Sequence, residues 1–174
     1  MNRKSFGVIA TVVSGLLLFA AAGLLYAGTE VKEIIKMDNK AYAKHKKGIV
    51  TFSHAKHQTE YAKKHPDLYK KGCGECHHDK DNKPLTELKE GDEVKNCIEC
   101  HKKPGEMPKA EKKKMKKEKV SKAEKKSKKL AYHAEALHYN CRGCHKSYNK
   151  KIKKMDPKPE KAPTTCKKCH PKTK

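Results

Sequence analysis

Tryptophan is absent from this sequence, and phenylalanine occurs only three times, once (Phe6) inside an N-terminal apolar run. Hydrophobic residues make up 35% of the chain, and part of that share lies in the same run. Acidic residues are scarce as well, 20 against 43 Lys and Arg, for a formal net charge of +23. A chain this polar and this charged buries too little apolar surface to offset the entropy lost on ordering. An ordinary side-chain core is therefore excluded. Either the chain is disordered, or something other than side chains forms its core.

Cysteine is the residue that is not lacking. The eight cysteines are roughly 5% of the residues that follow the apolar run, short of the roughly 8–10% typical of a disulfide scaffold. They fall in four pairs, each followed at once by histidine: Cys73-x-x-Cys76-His77, Cys97-x-x-Cys100-His101, Cys141-x-x-Cys144-His145 and Cys166-x-x-Cys169-His170. This is the attachment signature of c-type haem. Two thiols three residues apart can add to the two vinyl groups of one haem, and the next residue then lies under the ring with its imidazole directed at iron. Paired Cys-x-x-Cys motifs also build zinc sites, and an oxidising compartment permits disulfides within each pair. Neither needs a histidine in the next position. Histidine is 11 of 174 residues, so finding it after all four pairs by chance is on the order of 1 in 10⁵.

Seven histidines remain: His45, His54, His57, His65, His78, His133 and His138. His45 and His65 sit among lysines and are expected at the solvated surface. The others occupy patterned places. His54 and His57 follow Phe52, His78 directly follows His77, and His138 lies three residues before Cys141. Adjacent side chains on an extended backbone point opposite ways, so His77 and His78 can serve two different haems.

This order of motifs resembles the tetrahaem class III c-type cytochromes over about residues 48–170: Phe52-x-His54-x-x-His57, then Cys76-His77-His78, a second motif, a histidine shortly before the third, and a fourth motif near the end. The resemblance implies four haem c groups, each iron held by two histidines. It pairs His54 with His77, His78 with His101, His57 with His145 and His138 with His170, with His133 as the alternative to His138. It further implies a mostly irregular fold with a few short helices and one short N-terminal strand or hairpin, wrapped around the haems.

Locally, 48–53 reads as a short strand and 54–70 as one or two helical turns ending before Pro66. Residues 80–95 read as loop, 131–139 as a helix leading to His138, and 155–163, with three prolines, as an extended linker. Within the expected tetrahaem domain, 28–174, an insertion at 109–129 holds 12 lysines in 21 residues and reads as partly ordered helix. Ahead of it, 1–27 has a basic start and an uncharged stretch from Phe6 to Ala27, the pattern of a secretory signal or an N-terminal membrane anchor. Both place the domain outside the cytoplasm, in the periplasm by the resemblance.

The functional expectation is an electron carrier rather than an enzyme, because two histidines per iron leave no position for substrate. The resemblance implies hydrogenase, formate dehydrogenase or a membrane cytochrome complex as partners in anaerobic respiration. The lysine-rich insertion suits an acidic redox protein. Export argues against nucleic acid, and the anionic head groups of a membrane are a rival target. A membrane-tethered haem subunit and a multihaem reductase with one open iron are the rival functions.

Overall fold

The computed structural model describes residues 31–172. The expected signal or anchor, 1–27, lies outside them, and among the described residues no helix is long and apolar enough to cross a membrane. The chain forms two compact units, Met1–Val31 with Gly91–Glu93 and Lys32–Glu90 with Val94–Lys174. Of the first, only Val31 and Gly91–Glu93 are described. Every element below belongs to the second.

Two short strands, β1 (Ile34–Lys36) and β2 (Thr51–Ser53), pair antiparallel with Ile35 opposite Phe52. The strand expected at 48–53 is thus shorter, because the Gly48 carbonyl is used elsewhere: it accepts a hydrogen bond from His170 Nδ1 at 2.8 Å. A helical stretch follows, α1 (His54–Lys56), a π turn (His57–Tyr61) and α2 (Ala62–Lys64), succeeded by a 3₁₀ turn that begins at Pro66. Proline cannot continue the ladder, which explains the break.

The motif segments are single helical turns or part of one long helix. Cys73 and Cys76 lie at the 3₁₀ turn Gly72–Glu75, Cys97–Cys100 is α3 and Cys166–Cys169 is α7. An Asn96–Glu99 capping box starts α3: Asn96 Oδ1 accepts from the Ile98 amide at 3.4 Å, and Glu99 Oε1 accepts from the Asn96 amide at 2.6 Å. The third motif lies inside α6 (His133–Lys151), which is much longer than the helix expected at 131–139.

The lysine-rich insertion is more ordered than its charge suggests. It forms two helices, α4 (Lys109–Lys117) and α5 (Lys122–Leu130), separated at Lys119, which has φ +51°, and capped again by Ser121 Oγ on the Glu124 amide at 3.2 Å. Like charges one turn apart oppose such helices by roughly 0.2–0.5 kcal/mol per pair. Burying a large apolar side chain contributes roughly 1.5–3 kcal/mol, and the hairpin has three: Met107, Met115 and Tyr132 cluster, with Val120 against them. Ion pairs add to this. Glu135 of α6 is only 6% exposed and meets Lys112 Nζ of α4 at 2.7 Å and Lys129 Nζ of α5 at 3.0 Å. The Tyr132 hydroxyl donates to Glu111 at 2.5 Å. The main cluster of buried apolar side chains among the described residues therefore holds the lysine hairpin, not the cysteine motifs.

Candidate functional site

Each motif begins with the same local closure. The amide of the histidine donates to the carbonyl of the first cysteine, at 2.9 Å for His77 on Cys73, 2.9 Å for His101 on Cys97 and 2.8 Å for His170 on Cys166. In α6 the helix itself supplies this step between His145 and Cys141. The thiols three residues apart share one face of the turn, with the imidazole presented beside them. None of the eight cysteines is paired with another.

The imidazoles then meet in twos. Ring centres are 6.3 Å apart for His54 and His77, 6.0 Å for His78 and His101, 6.2 Å for His57 and His145, and 6.3 Å for His138 and His170. One metal atom between two imidazoles, with bonds of about 2 Å and about 1.1 Å from nitrogen to ring centre on each side, requires about 6.2 Å. All four separations match that span. Among the described residues no three His, Cys, Asp or Glu side chains gather at one point, as a protein-built zinc site demands. Ligands in opposed pairs suit a metal whose other four positions are filled by a macrocycle, so these residues fit haem iron. In that fit the cysteine pairs would anchor the porphyrin and the imidazoles would be axial.

Hydrogen bonds set the tautomers. The Nδ1 atoms of His57, His78, His101, His145 and His170 lie 2.8, 2.7, 2.5, 2.7 and 2.8 Å from the carbonyls of Ser53, Asp79, Leu130, Pro163 and Gly48. A carbonyl only accepts, so Nδ1 carries the proton and Nε2 keeps the lone pair a metal needs. His138 Nδ1 faces Glu106 Oε1 at 3.4 Å, and His54 Nδ1 is buried without a hydrogen-bond partner among the described residues. Burial lowers the pKa of His57, His77 and His138; the Ser53 carbonyl partly offsets this at His57, and Glu106 does at His138. Lowered values keep these rings neutral, the form that ligates.

The first and third motifs lie close together. Desolvation, with the nearby Cys141 and Cys144, pushes the Cys76 thiol up to about 11. Asn140 Nδ2 donates to the Cys76 carbonyl at 3.2 Å, joining the first motif to the third. The π turn at His57 coincides with the point where neighbouring ligands diverge, His54 facing His77 and His57 facing His145. On a regular helix residues three apart share a face, and π turns commonly mark such functional departures.

The other histidines stay out of these pairs. His133 is 6% exposed, with Nδ1 2.9 Å from the Tyr42 hydroxyl, and faces no second imidazole. The solvated surface expected for His45 and His65 is not what the fold provides, and both are half-buried. His45 stacks on Tyr42 at 5.2 Å and pairs with Asp38 at 2.9 Å, and His65 meets the Tyr148 ring edge-on at 5.0 Å. Sequence reasoning missed the five carbonyls that orient the imidazoles, because every residue has one and only the fold selects which is used.

Comparison with curated proteins and with solved structures returned no match. The family model for class III cytochrome c matches residues 30–170. The chain therefore belongs to the class III cytochrome c family and is a multihaem electron-transfer protein that binds haem c covalently.

Proposed function

We propose that this chain is an exported carrier with four bis-histidine haems, exchanging electrons with periplasmic dehydrogenases or hydrogenases and membrane redox complexes in anaerobic respiration. The observation that carries the reading is the set of four opposed imidazole pairs at 6.0–6.3 Å. The first haem would join Cys73 and Cys76, with His77 and His54 axial; the second Cys97 and Cys100, with His101 and His78. The third would join Cys141 and Cys144, with His145 and His57; the fourth Cys166 and Cys169, with His170 and His138. Haem supplies the ferric–ferrous couple. Two histidines on each iron would leave no position for a substrate, which favours electron transfer over catalysis. The hydrogenase, formate dehydrogenase or membrane cytochrome partners, and the periplasmic location, rest on family membership and on the 1–27 pattern.

A pyridine haemochrome assay with intact mass tests the reading. Four haems per chain are expected, with 1–27 removed or retained according to the mass. Any other count overturns the proposal. Carbon monoxide should leave the reduced visible spectrum unchanged; a shifted band would instead reveal an open iron and a reductase.

A further inference from the structure

We propose that Glu106 is a positioning residue for the fourth haem: its carboxylate faces Nδ1 of His138, enriches that imidazole in electron density, and so holds the fourth haem at a lower potential than the ring alone would set. This deepens the tetrahaem reading and rests on it.

His138 lies inside α6, where the backbone carbonyls are taken by the helix ladder. Its Nδ1 therefore has no local carbonyl to bond. The rings of His57, His78, His101, His145 and His170 each take a carbonyl, from Ser53, Asp79, Leu130, Pro163 and Gly48. His138 instead meets a carboxylate, Glu106 Oε1 at 3.4 Å. A carbonyl presents a dipole, whereas a carboxylate presents a full charge. The Nδ1 proton drawn toward it leaves more density on Nε2, the nitrogen that would bind iron. A more basic ligand favours ferric over ferrous iron.

The backbone anchors Glu106 on both sides. Gly105, at φ +82°, gives its carbonyl to the Ala134 amide at 3.1 Å, in the first turn of α6. Met107 is buried in the apolar cluster. Ala134 and His138 are one turn apart on the same face of α6. A side chain leaving the chain between these two anchors is therefore delivered to His138.

The charges around His138 leave Glu106 in the leading place, ahead of Arg142, Glu135 and His170. Glu135 is neutralised by Lys112 and Lys129, and Arg142 opposes Glu106 only in part. Carboxylates with a merely solubilising role pair with the abundant lysines, as Glu60, Glu118 and Glu124 do. Among the described residues, the one ion-pair partner of Glu106 is His138. Glu106 is exposed, so solvent screens part of its field and the effect is modest.

The test compares holoprotein of the wild type with E106Q, E106K, E106D and E118Q, the last removing an exposed acid that pairs with Lys114. Potentials are read by spectroelectrochemistry, with the haem methyl resonances assigned by NMR. At a fixed electrode potential, the ferrous-to-ferric ratio of the haem on Cys166 and Cys169 should rise about threefold in E106Q and further in E106K. E106D keeps the charge and should fall between E106Q and the wild type. E118Q should leave that ratio in place. In the reduced, ¹⁵N-histidine-labelled protein, the His138 Nδ1 proton resonance should move upfield in E106Q, while those of the five carbonyl-bonded rings hold still. An unchanged or lowered ratio in E106Q, an equal rise in E118Q, or a change centred on another haem overturns the inference. A high-spin band in E106Q would show loss of His138 from iron, a structural role, and overturns it too. A haem count other than four sinks the underlying reading as well; four haems with E106Q matching the wild type sinks only this inference.

Discussion

The imidazole planes of His57 and His145 are inclined by only 31° to each other, whereas the other three opposed pairs lie at 68–86°. Near-parallel ligand planes overlap one iron d orbital preferentially and split it from its partner. Crossed planes treat the two orbitals alike. Electron paramagnetic resonance of the oxidised protein should show one rhombic low-spin signal and three of much larger anisotropy. Replacing His57 by Met should remove the rhombic one. Four equivalent signals would contradict the site geometry.

The fourth site distinguishes two neighbouring histidines. His138 faces His170, whereas His133 is held by Tyr42. His138→Met should raise the potential of one haem by on the order of 100 mV, because thioether ligation favours ferrous iron. His133→Met should lower stability through the lost Tyr42 contact and leave the four potentials nearly unmoved. Redox titration followed by visible absorbance reads both, and the opposite pattern would exchange their roles.

Gly48 makes a close backbone approach that no other residue could make. A Cβ there would lie 2.2 Å from the Pro171 carbonyl oxygen, beside the carbonyl that orients His170. Gly48→Ala must push the C-terminal strand of chain away and loosen His170. The expected outcome is a changed spectrum and potential at the fourth haem, with the other three unaltered. Spectroelectrochemistry of the variant checks it.

Glu135 sets the acid limit of the hairpin. Burial alone would raise its pKa, but the hydrogen bonds and charges of Lys112 and Lys129 outweigh that, and the folded value lies below the ordinary 4.5. A depressed carboxylate contributes stability that is fully present above its unfolded value and is lost as pH falls through the folded one. Amide exchange in α4 and α5 should therefore stay slow to pH 4.5 and quicken only below it. Glu135→Gln should cost about 1 kcal/mol at neutral pH and abolish that dependence.

Much of the site was legible from residue order. Cys-x-x-Cys-His is a local device, built within one helical turn, so the four attachment points needed no tertiary information. The fold class followed from the resemblance to class III cytochromes that those motifs carry. The π turn at His57 and the full length of α6 were not legible, because each depends on what the segment packs against rather than on its own propensities. The lysine hairpin was underestimated for the same reason. Its order comes from Met107, Tyr132 and Glu135, all outside 109–129.

By itself, then, the amino-acid sequence determined where haem would be attached and that side chains alone could not make the core. The tertiary structure brought together the four imidazole pairs that the resemblance implied, and it alone decided which backbone carbonyl orients each ring and that the cationic hairpin ends against His101. The reason is physical. Thiol spacing acts over one turn of helix, whereas opposing two rings across about 6 Å requires segments up to dozens of residues apart to be held by the whole fold.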